Sequence, residues 1–128
     1  MNSVRGAEAY RQMNVQSRSP LELVVMLYDG ALQSLAAAKA AAARNDLPAR
    51  ADGISRALAI LSELQGTLDM KEGGQIADDL DRLYAFAIAR LLDVTLKNDV
   101  AAIDDVIRTM TPLRDGWAQI AQPATARP

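Results

Sequence analysis

Three short breaks constrain this chain more than any other feature. They are Arg44-Asn45-Asp46-Leu47-Pro48, Asp69-Met70-Lys71-Glu72-Gly73-Gly74 and Lys97-Asn98-Asp99. Each carries turn or cap chemistry: Asn for a left-handed position after a helix, Asp to cap the next helix, paired Gly for a turn. Between the breaks, apolar residues recur at spacings of three and four, the helical period. Four helices of roughly 22–25 residues joined by such short turns must run antiparallel to their chain neighbours. The expected fold is therefore all-α: an antiparallel up-down-up-down four-helix bundle with a short N-terminal arm. The arm spans residues 1–18, the bundle 19–121 and a disordered tail 122–128.

The first helix has the clearest start. Ser19 and Glu22 stand three apart as a capping box, with Pro20 between them at the first helical position, where its missing N–H costs nothing. Leu21, Val24, Val25, Tyr28, Leu32 and Leu35 then share one face, while Leu23 and Met26 point away from it. Beyond Leu35 the helix is almost all alanine, the best helix former, and alanine lets a neighbouring backbone approach. The second helix runs from Leu47 to about Leu68 on a seam of Ile54, Leu58, Leu61, Leu64 and Leu68. The third runs from about Gln75 to Leu96 on Ile76, Leu80, Leu83, Ala87, Leu91 and Val94. Tyr84, Ile88 and Leu92 widen its apolar arc to about half the circumference. The fourth carries Val100, Ile103, Val106, Ile107, Met110, Leu113, Trp117 and Ile120, with an interruption and kink expected at Thr111-Pro112.

Composition excludes most chemistry. The chain of 128 residues has neither Cys nor His, so thiol catalysis, Cys/His zinc sites and Ser-His-Asp triads are out. Asp78, Asp79 and Asp81 sit where carboxylates suit a helix N-terminus and form no ferritin-like metal site, which adds His. No metal or cofactor is expected. A net charge of −2 gives no case for nucleic acid. No apolar run approaches the ~18 residues of a membrane span, and the leader lacks an apolar h-region, so membrane insertion and a signal peptide are not expected. A cytoplasmic location follows as the expectation. The arm, with Ala7, Tyr10 and Met13 spaced by three, either rests on the bundle as a short helical turn or stays disordered.

Taken together, several segments resemble the flagellar export chaperones of the FliS family. They are Ala9-Tyr10, Ser19-Pro20 through Met26-Leu27-Tyr28-Asp29-Gly30-Ala31, Leu68-Asp69-Met70 with Gly73-Gly74-Gln75-Ile76-Ala77, Leu80-Asp81-Arg82-Leu83-Tyr84, Arg90-Leu91-Leu92, and Leu113-Arg114 with Trp117. The resemblance runs from about residue 6 to residue 119. It implies a binding protein with no catalytic activity, whose client is the C-terminal segment of flagellin. The client would be kept from premature polymerisation and handed to the export gate of the flagellar secretion apparatus. It also implies that the arm around Tyr10 folds over the bundle and competes with client. The family usually follows Arg-Leu-Leu with an acidic residue, Ala and Asn. This chain has Asp93-Val94-Thr95, so a contact to the client backbone is shortened at Thr95.

The physics of the residues leads the same way. A bundle with more apolar helix surface than one core uses suits groove binding of amphipathic helices. The expected client row is Tyr84, Ile88 and Leu92, with Phe86 on the opposite flank and Met26 or Ile60 as a facing wall. Tyr10 and Met13 would rest on the bundle until client displaces them. A mutase-type helical enzyme would gather several Arg and Lys inside the bundle, whereas only Arg90 and Arg114 fall within or beside apolar arcs. A dimerisation or scaffold bundle with no client is the other alternative. Finally, Asp29 lies roughly 15 Å up the first helix, and Arg114 at roughly 12 Å on the descending fourth. An Asp29–Arg114 pair that fixes register is therefore expected.

Overall fold

The computed structural model describes residues 19–122. Their helices are α1 (Pro20–Ala43), α2 (Leu47–Gly66), α3 (Gly74–Lys97) and α4 (Ala101–Ala121). α1 packs against α2 and α4, and α3 packs against the same two, so consecutive helices are neighbours and α3 lies diagonally across from α1. The up-down-up-down bundle is the architecture that the short breaks dictate. The arm with Tyr10 and Met13, and the last residues of the tail, lie outside the described residues.

The local signals act as their chemistry demands. Ser19 Oγ accepts from Glu22 N–H at 3.2 Å, and Glu22 Oε1 accepts from Ser19 N–H at 2.7 Å. Asn45 (φ 58°) and Asn98 (φ 53°) take left-handed positions where the chain leaves α1 and α3. Asp46 caps α2 by accepting from Ala49 N–H at 3.1 Å. α2 stops two residues earlier than its periodicity suggests, and the Thr67 hydroxyl donates back to the Leu64 carbonyl at 2.8 Å. At Gly74 the backbone turns with φ +54°, a value that favours glycine.

Tyr28, Leu35, Leu61, Leu91, Ile103 and Met110 are among the largest fully buried side chains. Burying an aliphatic side chain of this size stabilises the fold by roughly 1.5–3 kcal/mol. α1 and α2 approach most closely where small residues face each other. A Cβ on Gly53 would lie 2.8 Å from the Ser34 carbonyl oxygen and 2.9 Å from the Ala38 Cβ. Gly53→Ala gains about 1 kcal/mol of helix propensity but forces two backbones apart, at a cost of about 1–3 kcal/mol. We expect a net loss of stability, read from urea unfolding. A stabilised variant would show that the helices can separate freely there.

Leu23, off the main face of α1, is 7 % exposed because α1 has neighbours on two sides, so more than one neighbour covers the helix. Three expectations are corrected. Ile76 is 70 % exposed and the α3 seam starts at Ala77, since Ile76 sits in the first turn, at the end of the bundle. α4 runs through Pro112 as one helix, with both Pro112 and Arg108 exposed, so water can serve the Arg108 carbonyl that Pro112 leaves unbonded. Lastly, α1 is long and apolar enough by composition to cross a membrane, with a mean hydropathy of 1.3 over its best window. Its alanine run raises that average, and its face of Tyr28, Ala31, Leu35, Ala38 and Ala41 is buried in the bundle.

Candidate functional site

Both ends of α3 are tied to α2. The Arg50 guanidinium donates to Asn98 Oδ1 at 2.7 Å, and Gln65 Nε2 donates to Asp81 Oδ1 at 3.0 Å. Held this way, α3 turns Ala77, Leu80, Tyr84, Ala87, Leu91 and Val94 into the core. Its other side carries Phe86 (48 % exposed), Leu92 (43 %) and Leu96 (76 %), with Ala85 and Ala89 also exposed. Ile88 lies between the two faces, half-buried against the core. A complete seam thus shares the helix with a solvent-facing apolar strip of Leu92, Ala85, Leu96 and Ala89, while Phe86 stands on the other flank, about 120° from Leu92. Apolar surface of this kind marks interaction sites.

Tyr84 does not belong to that stripe. It is 2 % exposed, and its hydroxyl is 2.6 Å from that of Tyr28. Trp117 Nε1 donates to the Tyr28 oxygen at 3.3 Å, which links α1, α3 and α4 through one polar chain in an apolar surround. Burial pushes the Tyr28 hydroxyl pKa up, partly opposed by the hydrogen bonds from Tyr84 and Trp117. Burial and the Tyr28 bond both raise that of Tyr84. Tyr84 and Trp117 also line a cavity of about 230 Å³ at this end of the bundle, with Leu21, Val24, Leu64, Leu68 and Ile76.

A second groove, about 450 Å³, lies between α1 and α4 and is lined by Glu22, Val25, Met26, Asp29, Arg114 and Ala118, among others. Arg114 donates to both Asp29 oxygens, Nε to Oδ1 at 2.7 Å and Nη2 to Oδ2 at 3.3 Å. The helical rise put these groups at matching heights, and the fork geometry holds α1 and α4 in one register. The Asp29 hydrogen bond raises the Arg114 pKa. With both side chains part-exposed, we expect Arg114→Ala to cost only about 1 kcal/mol. Thermal melts would check this, and a collapse of the fold would mean the pair does more than set register.

Met26 and Ile60 do not face the α3 stripe. Met26 lines the α1–α4 groove, and Ile60 Cδ1 lies 3.3 Å from where a Gly30 Cβ would sit, at the α1–α2 junction. Both are on helices or flanks turned away from α3, because periodicity gives an angle without naming the neighbour at that angle. Thr95 is exposed near the α3 C-terminus.

Sequence reasoning missed the cluster around Arg90. Its guanidinium donates to Asp99 Oδ2 at 2.7 Å, Asp105 Oδ2 at 2.9 Å and Asp93 Oδ2 at 3.2 Å. Arg108 adds a further bond to Asp105. The cluster locks the α3–α4 turn, and Arg90 holds the Asp99 carboxyl below the usual carboxylate range. Only the Asp93 spacing could have signalled it. Neither Arg90 nor Arg114 stands in a basic cavity: each is met by carboxylates, unlike a site for an anionic substrate. Among the described residues no group of three His, Cys, Asp or Glu could hold a metal ion.

Comparison with known proteins places the chain. The family model described as "Flagellar protein FliS" matches residues 3–124. The flagellar secretion chaperone FliS of Salmonella typhimurium is 35% identical over 98% of this chain and 96% of its own length. That of Vibrio cholerae is 35% identical over 91% of this chain and 90% of its own length. That of Bacillus subtilis is 30% identical over 89% and 84%. With the bundle, the Ser19 capping box and the Tyr28–Asp29 pairings set on α1 as described, the chain belongs to the FliS family.

Proposed function

We propose that this protein is a cytoplasmic, non-enzymatic chaperone for flagellar secretion. It binds the C-terminal segment of flagellin, prevents premature polymerisation and delivers the client to the export gate. The observation that carries the reading is the doubled apolar surface of α3, a full core seam plus exposed apolar side chains outside it, Leu92 and Leu96 on one flank and Phe86 on the other. Amphipathic helices bind such a face through anchors at helical spacing, and a segment that folds on binding covers much surface for its affinity. Ile88 supports the Leu92 flank from below, and Thr95 offers a polar group at its end. Tyr10 and Met13 compete with client for apolar surface on the bundle.

The direct test is calorimetric titration of the full chain with a peptide of the flagellin C-terminal segment. Binding with a negative heat-capacity change is expected, because apolar area is buried. The reading fails if that peptide does not bind while an N-terminal flagellin peptide does, or if neither binds.

A further inference from the structure

The two halves of α4 are packed differently. Its buried residues, Ala102, Ile103, Val106 and Met110, all precede Pro112; beyond it Leu113 and Trp117 pack against the core and are only partly buried. The backbone marks the same boundary. Pro112 has no N–H to give the Arg108 carbonyl, and the Thr109 and Thr111 hydroxyls donate to the carbonyls of Asp105 and Ile107 at 2.9 Å and 2.7 Å. Hydroxyls bonded four residues back weaken and bend a helix. Gly116, exposed and with open space where a Cβ would stand, lowers helix propensity further. We propose that residues 112–121 form a lid that opens as one unit while the rest of the bundle stays folded.

There is space on two sides of this segment. The cavity of about 230 Å³ lies against Trp117, and the groove of about 450 Å³ lies beside Arg114 and Ala118. Two polar fastenings hold it, and both land on consecutive residues of α1. Arg114 grips Asp29, and Trp117 Nε1 donates to the Tyr28 oxygen at 3.3 Å, slightly beyond the usual range. Opening breaks these contacts and withdraws two part-buried apolar side chains, but leaves Met110 and every buried residue before it in place. A segment this short does not stay helical once it leaves the bundle, so its backbone bonds open with it.

What the lid uncovers is apolar: the Leu21, Val24 and Tyr84 wall of the cavity and the Val25 side of the groove. An apolar helix that occupied this surface would hold the lid open, so occupation and opening are coupled. The inference does not rest on the flagellin reading, and its test needs no client.

Hydrogen exchange of the full chain under native conditions, read amide by amide, tests the lid. Amides of 113–121 should share one rate, at least about tenfold faster than those of 106–110, with the step at Pro112. Arg114→Ala should raise that shared rate about fivefold. Ile103→Val, a core change on the other side of Pro112, should speed the amides of 106–110 by roughly threefold to tenfold. It should leave 113–121 unchanged, because the lid opens without disturbing Ile103. Trp117, the one tryptophan of the chain, gives a second reading: its emission should shift at lower urea than helicity is lost. Rates that climb smoothly toward Ala121 are ordinary end fraying and overturn the proposal. So do one common rate throughout α4, lid rates that follow Ile103→Val, or coincident urea curves.

Discussion

Leu92→Asp is expected to melt within a degree or two of the parent and to lose flagellin-peptide binding by at least about tenfold, and Phe86→Asp should behave alike. Both side chains are close to half exposed, so a carboxylate at either position stays hydrated in the free protein. On client binding it would be driven into an apolar contact, where an unpaired charge is costly. Ile88→Asp, four residues before Leu92, is expected to behave differently. Ile88 packs against the core cluster, so its variant should lose about 2–4 kcal/mol of folding stability whatever it does to binding. Measuring melting and peptide titration on all three separates a surface from a core role. Normal binding by both Leu92→Asp and Phe86→Asp would place the client elsewhere on the bundle.

That split between Ile88 and Leu92 was not legible in the sequence, which set Tyr84, Ile88 and Leu92 in one row. Every fourth residue drifts 40° around an α-helix, so the row starts in the core at Tyr84 and ends in solvent at Leu92. Helix starts and stops were legible because they depend on chemistry within three or four residues: the Ser19–Glu22 box, Asp46, Asn45, Asn98. The Asp29–Arg114 contact was legible for a different reason. Antiparallel neighbours of known rise have only one relative height, and two charges at one height on adjacent helices find each other.

The failures share a physical origin. Periodicity fixes which way a side chain points but not what lies in that direction. Ile76 has the right phase for the seam, yet at the bundle's end it meets solvent and the rim of a cavity. Met26 and Ile60 have apolar phases that belong to the α1–α4 and α1–α2 junctions. The Arg90 cluster draws one carboxylate from the α3–α4 turn, Asp99, and one from α4, Asp105, a closure no single-helix pattern contains.

Alkaline pH should unfold this protein through Tyr28 and Tyr84, and the effect should be large. Both rings are in the core, 0% and 2% exposed, and burial raises both pKa values above the 10.0 of a free phenol. A raised folded pKa means that the two states bind equal protons below pH 10, so the contribution to stability is intact there. Above pH 10 the unfolded chain releases protons that the folded chain retains, and stability falls as pH rises. Each tyrosine contributes a slope of up to about 1.36 kcal/mol per pH unit wherever the folded chain keeps a proton that the unfolded chain has lost. Such a slope is steep beside the roughly 5–15 kcal/mol typical of a domain. The control is Tyr28→Phe with Tyr84→Phe. It should be less stable at pH 8 by about 1–3 kcal/mol, because the Trp117 N–H loses its acceptor, but its stability should fall more gently above pH 10. Urea unfolding of both proteins at pH 8 and 11.5 gives the four numbers needed. Parallel losses in the two proteins would mean that the buried hydroxyl pair carries none of the alkaline sensitivity.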